Sequence, residues 1–451
     1  MAEKTRVLHD DTRLPHVRMA LSRKRAMAFF NERILPAVLP GREVIDLSQQ
    51  RVRYKPGKEC RVHYRLKIAP EGEEKPLHQI VTITFRNGRA LEEIAARATG
   101  VNGAMRGKTL FVPDYACLVE FFPADYRLSG LARAVDADAM AEQLRSGGGE
   151  LATASVARVR LVRYRPGFTC VLRYTLEPEG GGKQFEVMGK VYPGIEEAAE
   201  MRRKLTSLSE QAAPEGLAIP RPLDLPQEDN LVLMEKVPGA NMDKLLLATA
   251  SEEEAAPLVD LAAQSLASFH ELQLEARLAR TLESEFRRLG RRLGRIQRIA
   301  PDLAAKASAL TGALDESKLV ARPEELRLIH GDFKPNQFLV EDGRAALVDL
   351  DRAGIGDPAV DVGNFMAVLR KKSVVNKQPH FVPLEERFLE RYLALRPDEA
   401  SARRARLFQG IALVRVVLAK FERSPRSYAR QGPNWPWLAV LDEAERCLAR
   451  T

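Results

Sequence analysis

The sequence predicts an α+β protein in which a β-rich unit occurs twice and precedes a helical region that carries a polar β-hairpin. Three observations support this fold class. The segment Arg51–Leu66 recurs as Leu161–Leu176, 110 positions later. Apolar residues follow helical spacing from Ser251 onward, and a strand–turn–strand pattern interrupts them at residues 337–350.

The repeat extends over several blocks in the same order. RYKPGKEC at Arg53–Cys60 returns as RYRPGFTC at Arg163–Cys170, and CLVEFFPAD at Cys117–Asp125 is answered by VLMEKVPGA at Val232–Ala240. Alternating apolar and polar residues predict strands in both copies, and a helix is expected after the third strand. Ordered blocks of this kind indicate one supersecondary unit that occurs twice.

The helical region begins with a clear start signal. Ser251–Leu272 opens with a serine cap and an acidic first turn and continues with apolar residues at helical spacing. From there to Thr451 helices are expected to dominate.

The hairpin that interrupts this region carries the candidate chemistry. A polar loop precedes strands expected at Gln337–Val340 and Ala345–Leu350, and Asp332 and Asp349 lie at the mouth. Two carboxylates from separate loops, with carboxamides between them, suit a hard cation that bridges phosphates. The stretch therefore predicts phosphoryl transfer.

Composition and charge set limits on partners. The chain has 451 residues, of which 45% are hydrophobic and 29% charged, which is ordinary for a soluble protein of two or three domains. The net charge is +9, but the basic residues are spread along the chain. The densest basic cluster, Leu289–Arg298, is expected to be a solvated helix face, so no nucleic-acid partner is predicted.

Location and cysteine chemistry follow from what the sequence lacks. The charged start has no apolar signal region, and no run approaches the ~18 apolar residues of a spanning helix, so a cytoplasmic protein without membrane contact is expected. Cys60, Cys117, Cys170 and Cys447 show no metal-binding spacing. Buried free thiols are therefore predicted.

Five pieces in order resemble the aminoglycoside phosphotransferase and choline kinase-like family, whose fold is that of protein kinases. They are RYRPGFTC, GKVYP, VLMEKVPG, LASFH, and HGDFKPNQ followed by LVDLDRAGIGDPAVDVGNF. The resemblance covers roughly Val156 to the end of the chain. It implies a bilobal fold, ATP and Mg²⁺ as cofactors, and a small-molecule hydroxyl as acceptor. The expected domains are a degenerate N-lobe-like repeat at 1–135, a nucleotide-binding N-lobe at 136–237 and a helical C-lobe at 238–451.

The resemblance assigns roles in the hairpin. Asp332 occupies the position of the carboxylate that accepts the hydroxyl proton. Lys334 either contacts the transferring phosphate, as in protein kinases, or is an exposed loop lysine. His330 and Asp361 correspond to residues that hold the catalytic loop rather than react.

The resemblance also implies metal ligands near the hairpin. Asp349 matches the metal-binding aspartate of the family and is favoured over Asp351, because its strand neighbours would share the opposite face. The family pattern places an asparagine five residues after Asp332, but this chain has Gln337 there, as members that resemble maltokinases do, and Gln337 is the expected ligand. Asn336, one position earlier, is the alternative ligand.

The second β-rich unit supplies the expected nucleotide contacts. Lys190 is the only lysine on the third strand and would pair with the α- and β-phosphates, with Glu200 as its carboxylate partner and Glu197 as runner-up. Gly167 would let the backbone approach phosphate. Met234 and Val237 bound the segment expected to face adenine.

The first copy has Thr82, Ile83 or Thr84 where the second has Lys190, so it is interpreted as a degenerate upper lobe that acts as a rigid or regulatory cap. The preferred function is an ATP-dependent kinase of a sugar, amino sugar or related metabolite, and an anionic acceptor suits the arginine-rich helical region best. The alternatives are a nucleotide-binding pseudokinase and an aminoglycoside-type antibiotic phosphotransferase. Association into a homo-oligomer is left open.

Overall fold

The computed structural model describes residues 11–70, 75–86, 91–94, 107–213, 216–225, 230–276, 278–312, 326–397 and 401–449. Two five-stranded antiparallel sheets come first in these ranges, and helices with two three-stranded sheets follow. This mixture confirms the α+β class. No helix in the described ranges is both long enough and apolar enough to cross a membrane.

The first sheet follows a group of short helices and a π-helical turn. The helices are α1 (Val17–Leu21), α2 (Arg23–Phe29) and α3 (Leu35–Val38), with the π turn at Phe30–Ile34. The strands are β1 (Val44–Lys55), β2 (Glu59–Ile68), β3 (Leu77–Arg86), β4 (Thr109–Val112) and β5 (Cys117–Phe121). Their order across the sheet is β1-β2-β3-β5-β4.

The second sheet repeats this order with the next five strands. It follows α4 (Leu131–Ala134) and α5 (Ala137–Gly147), and contains β6 (Ser155–Arg165), β7 (Thr169–Glu177), β8 (Phe185–Val191), β9 (Pro222–Leu223) and β10 (Leu231–Glu235), with α6 (Ile195–Ala212) after β8. The order is β6-β7-β8-β10-β9. Strand register pairs Lys190 with Val171, and the corresponding pair in the first sheet is Thr84 with Arg61.

The turn between the first two strands is held in the same way in both units. In the first unit, Tyr54 Oη and the N–H of Gly57 donate to Asp11 Oδ2 at 2.8 and 2.7 Å. Both turns need a glycine, because the backbone has φ of +67° at Gly57 and +68° at Gly167.

In the second unit, Tyr164 Oη and the N–H of Gly167 donate to Asp125 Oδ2 at 2.9 and 2.6 Å. Asp125 is only 7% exposed, and its other oxygen accepts the N–H of Arg127 at 2.9 Å. A buried carboxylate with three donors around it therefore fixes this turn.

The remainder of the chain is largely helical. Its helices are α7 (Met242–Ala248), α8 (Glu252–Phe269), α9 (Leu282–Ile296), α10 (Pro301–Gly312), α11 (Ala359–Val375), α12 (Pro383–Leu395), α13 (Ser401–Arg423), α14 (Pro425–Gln431) and α15 (Leu438–Ala449). Its strands are β11 (Ala240–Asn241), β12 (Leu278–Arg280), β13 (Arg327–Ile329), β14 (Phe338–Glu341), β15 (Arg344–Leu347) and β16 (Gly354–Gly356).

The hairpin exists, but its second strand is shorter than expected. β15 ends at Leu347, and Asp349 takes a left-handed conformation with φ of +65° before a 3₁₀ turn at Leu350–Arg352. The argument that Asp349 projects from a continuing strand is therefore wrong. Aspartate is among the few residues that adopt this conformation readily, and the strand ends where it does so.

Apolar residues of the first sheet and of the helical region belong to one contiguous buried cluster, whereas the second sheet has a cluster of its own. The first unit is thus integrated with the helices rather than attached to the second sheet alone. Cys60, Cys117, Cys170 and Cys447 are all buried and free, which confirms the prediction for the thiols.

Asp125→Ala should destabilise the protein by about 2–5 kcal/mol, because it leaves two buried donors without an acceptor at roughly 1–3 kcal/mol each. The free energy of unfolding in urea measures the change. Asp136→Ala is the matched control, since Asp136 caps α5 at the surface and should cost about 0.5–2 kcal/mol. Equal losses in the two variants would contradict a special role for the buried carboxylate.

Candidate active site

Two cavities meet at the hairpin. The first, about 600 Å³, lies between the second sheet and the β14–β15 hairpin, and we call it the inter-lobe cavity. The second, about 810 Å³, lies among β1, the start of the second sheet and helices α9 and α13, and we call it the arginine cavity. Both are lined by Arg163, Arg165 and Asp349. The shared wall is therefore where a group could pass from one cavity to the other.

A fully buried carboxylate braces the loop that carries Asp332. Asp361 Oδ2 accepts the N–H of His330 at 2.6 Å, and Asp361 Oδ1 accepts the N–H of Gly331 at 2.9 Å. His270 Nε2 lies 3.5 Å from the same carboxylate. Asp361 therefore acts on the loop backbone and is remote from any reacting group.

His330 is also structural. Its Nε2 donates to the carbonyl of Val348 at 3.1 Å, and its Nδ1 accepts the N–H of Asp332 at 3.3 Å. One nitrogen donates and the other accepts, which is the pattern of a neutral imidazole. The ring links the catalytic loop to the segment that holds Asp349.

Asp332 lies among cations at the edge of the arginine cavity. Lys334 Nζ donates to its Oδ2 at 2.5 Å, and Arg352 Nη1 lies 4.0 Å from its Oδ1. Burial alone would raise the pKa of Asp332, but the charges of Lys334 and Arg352 outweigh it and hold the pKa below its ordinary value. The carboxylate is therefore ionised and can accept a hydrogen bond from a hydroxyl.

The buried amide between the two acids is Gln337. It is 3% exposed, and its Nε2 lies 3.4 Å from both Asp332 Oδ2 and Asp349 Oδ2. Asn336 is exposed, and its backbone carbonyl accepts a hydrogen bond from Asn241. A rotation of the Gln337 amide would present its oxygen between the carboxylates, which is the arrangement that a shared cation requires.

Lys190 connects the second sheet to the hairpin segment. Its Nζ donates to Asp349 Oδ1 at 2.7 Å and also to Asp351 Oδ2. Burial lowers the pKa of Lys190, but the two carboxylates outweigh this effect and raise it above the ordinary value. Lys190 is therefore a fixed cation at 8% exposure, directed at the shared wall of the two cavities.

The pairing of Lys190 with Glu200 is not what the structure shows. Glu200 has a side chain that is 59% exposed, and it pairs with Lys204 at 2.7 Å, one turn along α6. The buried face of α6 is apolar, and Lys204 also donates to the carbonyl of Ala353. The helix thus presents a lysine toward the hairpin segment, and Asp349 and Asp351 take the place expected for the helix carboxylate.

The expectation that Gly167 offers a free backbone amide to phosphate also needs correction. Its N–H is occupied by Asp125, and a side chain at this position would collide with the guanidinium of Arg61 from the first unit. Arg61 Nη1 donates to the carbonyl of Pro166 at 2.9 Å. Gly167 is accordingly not among the described residues that line either cavity.

The remaining nucleotide candidates do line the inter-lobe cavity. Met234, at the end of β10, and Val237 just after it lie on one wall, and Lys190 and Gln337 lie on the others. Apolar side chains at one end and a lysine with carboxylates at the other would suit a ligand with a planar apolar part and a charged part.

A divalent cation fits the oxygen atoms at the shared wall. In the described parts of the chain no three His, Cys, Asp or Glu side chains are grouped to hold a metal by themselves. Asp349, Asp351 and Gln337 nevertheless offer two carboxylates and one amide oxygen. Mg²⁺ commonly binds through one or two carboxylates and completes its shell with phosphates and water.

Sequence reasoning missed the arginines of the second cavity. Arg163 and Arg165 alternate on β6, and Arg51 and Arg53 alternate on β1, so each pair shares a strand face. All four line the arginine cavity. In the segment Leu289–Arg298, expected to be a solvated helix face, Arg291 and Arg298 are exposed, and Arg291, Arg292 and Arg295 line this cavity. The alternation of basic residues on the first strand of both repeats is the sequence signal that could have predicted a basic strand face.

Comparisons with known proteins add a family match. The model of the phosphotransferase enzyme family matches residues 173–407. A search of curated proteins finds no match. Among solved structures, the chain is similar to a macrolide 2′-phosphotransferase from Brachybacterium faecium, with 20% identity over 66% of this chain and 98% of the other and a TM-score of 0.43.

Two further solved structures are similar at the same level. An aminoglycoside phosphotransferase from Streptomyces rimosus has 20% identity over 61% of this chain and 97% of its own, with a TM-score of 0.41. A choline/ethanolamine kinase family protein from Mesorhizobium loti has 15% identity over 70% and 95%, with a TM-score of 0.43. Similarity at this level says nothing about the substrate.

Nucleotide binding tests whether Lys190 contacts ATP without Glu200 as its partner. Lys190→Met should weaken ATP binding by ~10-fold or more, because a hydrogen bond to a charged group contributes roughly 1.5–3 kcal/mol. Glu200→Gln should leave the affinity within a factor of ~2, since exposed ion pairs contribute little. Calorimetric titration with a non-hydrolysable ATP analogue measures both. A Glu200→Gln variant as weak as Lys190→Met would restore the helix carboxylate as the partner.

Proposed function

The chain belongs to the phosphotransferase enzyme family and is an ATP-dependent phosphotransferase that acts on a hydroxyl group, and from this premise we propose that its acceptor is a small sugar-like metabolite that carries acidic groups. The observation that carries the proposal is the junction of the two cavities at Asp349, with Asp332 beside it. ATP would occupy the inter-lobe cavity and the acceptor the arginine cavity, so that the phosphoryl group is transferred where they meet.

Asp332 is the proposed catalytic carboxylate. The acceptor hydroxyl donates a hydrogen bond to Asp332. The hydroxyl oxygen forms the new bond to the γ-phosphorus while the bond from the γ-phosphorus to the bridging oxygen of ADP breaks. The hydroxyl proton passes to Asp332 or to water. Because the pKa of Asp332 lies below its ordinary value, its main contribution is to orient the hydroxyl. Lys334, 2.5 Å from it, would balance charge on the transferring group.

The proposed nucleotide contacts are Lys190 with the α- and β-phosphates, and Met234 and Val237 with the base. Asp349 and Gln337 would hold Mg²⁺, which when bound neutralises charge on the phosphates. Asp351 shares Lys190 with Asp349 and would either support the ligand or bind the cation directly. Glu200 and Gly167 are left out of this assignment, because Glu200 pairs with Lys204 and the N–H of Gly167 donates to Asp125.

The charge of the arginine cavity favours one class of acceptor. Twelve arginines and three lysines line it in the described parts of the chain, against three carboxylates. A polycationic aminoglycoside, or an amino sugar without acidic groups, would be repelled there. A sugar or related metabolite with an acidic group is the class that this surface attracts.

The first β-rich unit is proposed to be a degenerate copy of the upper lobe. In support, the strand order is the same, and Thr84 takes the register position of Lys190. On this interpretation the domains are a degenerate repeat at 1–135, a nucleotide-binding lobe at 136–237 and a helical lobe at 238–451. A pseudokinase would not need Lys190, Asp332 and Asp349 together, so their presence favours the enzyme.

Asp332→Asn should lower kcat by ~10²–10⁴-fold and leave ATP affinity unchanged, because of the two substrates only the acceptor is proposed to contact this carboxylate. ADP release with magnesium and an active acceptor provides the rate, and titration with the ATP analogue provides the affinity. Asp342→Asn is the matched control, since Asp342 lies in the exposed hairpin turn with φ of +49°, which asparagine accommodates. Near-normal turnover of Asp332→Asn would remove the catalytic assignment.

A panel of neutral sugars, sugar acids, sugar phosphates, amino sugars and aminoglycosides tests the substrate class. Magnesium-dependent ADP release is expected with acidic sugars and not with aminoglycosides. If every compound fails and ATP binds without magnesium, the chain is a nucleotide-binding regulator and the proposed reaction is wrong.

A further inference from the structure

The arginine cavity has an unusual charge balance for a space of its size. Its volume of about 810 Å³ is within the usual range for a small-molecule site, ~300–1,000 Å³. Its walls come from separate parts of the chain, which include β1 of the first unit, the end of β6, the loop of Asp332, and helices α9, α11 and α13. The cations therefore converge from elements far apart in sequence, rather than lying along one solvated face.

Some of these cations are already neutralised. Arg292 forms a bidentate pair with Glu422 at 2.9 and 2.6 Å, and Arg415 donates to Glu285 at 2.8 Å. Arg163 lies 3.8 Å from Asp349. These pairs explain how part of the cavity wall is stabilised without a ligand.

A second group has no such partner. Eight cationic side chains of the cavity form no ion pair within 4.0 Å among the described residues, namely Arg51, Arg53, Lys55, Lys58, Arg165, Arg291, Arg295 and Arg423. The Nε of Arg295 is buried without any hydrogen-bond acceptor. Arg53 is stacked over the ring of Phe168 with its guanidinium carbon 3.6 Å from the centroid.

Crowding of these charges is unfavourable in the absence of an anion. Burial, together with the charges of Arg165, Arg163 and Arg423, lowers the pKa of Arg51 to about 10. Burial also lowers the pKa of Lys55 to about 8, and the charge of Arg53 acts in the same direction. A negative ligand that enters the cavity would relieve this like-charge repulsion.

Given the proposed function, on which this inference rests, we propose that the arginine cavity binds an acceptor with at least two phosphate or carboxylate groups, and that the first β-rich unit forms one wall of this site. Asp332 and Asp349 stand at one edge of the cavity, so the hydroxyl would approach there while the anionic groups lie deeper among the arginines. Arginine forks suit phosphate and carboxylate geometry.

The first unit is held in place at both ends of this wall. Toward the second unit, Arg61 donates to Pro166 and Arg53 stacks on Phe168. Toward the helices, Arg298 Nη2 donates to the carbonyl of Pro56 at 3.0 Å. Arg51, Arg53 and Lys55 occupy alternate positions of β1, so they share one face of the strand. The unit therefore supplies binding residues rather than a detached cap.

A series of ligands with one scaffold and increasing charge tests the proposal. Fructose, fructose 6-phosphate and fructose 1,6-bisphosphate are titrated calorimetrically at physiological salt, with saturating ADP and magnesium to fill the inter-lobe cavity. Affinity should rise by ~10-fold or more with each phosphate, because each adds charge-assisted hydrogen bonds. A bisphosphate that binds no more tightly than fructose would overturn the proposal.

Variants assign the binding to this cavity. The double variant Arg51→Gln with Arg295→Gln should weaken bisphosphate binding by ~10-fold or more, while Arg51→Lys with Arg295→Lys should retain most of the affinity because charge is kept. Arg145→Gln, an exposed arginine on α5 outside the cavity, is the control and should have no effect. The thermal shift caused by ADP reports that each variant is folded. Unchanged binding in the glutamine variant would place the anion elsewhere and overturn the proposal.

The same variants separate this inference from the proposed reaction. Transfer to neutral sugars that the glutamine variant leaves unchanged would overturn the polyanion proposal and the acidic acceptor class, and would leave the phosphoryl transfer itself standing. Charge-dependent binding without transfer to any acceptor would overturn the reaction, and with it the acceptor role of the bound anion. A short 5′-phosphorylated RNA that displaces the bisphosphate and binds more tightly would assign the cavity to nucleic acid and also overturn the proposal.

Discussion

The arrangement of the site depends on the ion pair that joins Lys190 to Asp349 and Asp351. A lysine at 8% exposure would lose its charge without carboxylates, and two adjacent carboxylates would repel each other without the lysine. Since Lys190 is on β8 and the acids follow β15, the pair ties the second sheet to the hairpin. Asp349 is thereby kept on the wall that both cavities share. Asp349 takes its left-handed conformation just after β15 ends, so the ion pair lies beyond the strand rather than on it.

Charge is distributed unequally around this wall. Twelve arginines line the arginine cavity among the described residues, whereas four line the inter-lobe cavity, where Lys190 is paired with Asp349 and Asp351. Bound ATP would bring its own negative charge between them, and Mg²⁺ would offset part of it. An acceptor with anionic groups would neutralise the arginines and leave its hydroxyl next to Asp332. Four arginines also line the inter-lobe cavity, two of them shared, so the excess of cations extends to both cavities and is larger in the arginine cavity, where we propose that the acceptor binds.

Local pattern was enough to group residues that lie a few positions apart, and the structure brings Asp332, Gln337 and Asp349 together. The hairpin, Asp332 and Gln337 lie within a few positions, and their spacing limits where each side chain can point. Glu200 failed because helical periodicity places several acids on α6 and does not say which face meets β8. Gly167 failed because its partner, Asp125, lies 42 positions earlier in the chain, outside any local motif. Arg51 and Arg295 line one cavity only because the tertiary fold brings β1 and α9 together, so the sequence could not show it. The alternation of basic residues on β1 and β6 can be read from the sequence.

The capped turn also changes what the repeated RYKPG and RYRPG segments mean. In both units the tyrosine and the glycine of this segment donate to a single aspartate, Asp11 or Asp125, so the segment is explained by the structure of the turn without any phosphate. Its presence in a unit without a lysine at Thr84 is then no sign of lost nucleotide binding. The arginine of the same segment does have a common use, because Arg53 and Arg163 are equivalent in the repeat and both line the arginine cavity. The first unit therefore adds Arg51, Arg53 and Lys55 to the arginine cavity. If the proposed acceptor binds there, the duplicated unit serves acceptor binding rather than a second catalytic lobe.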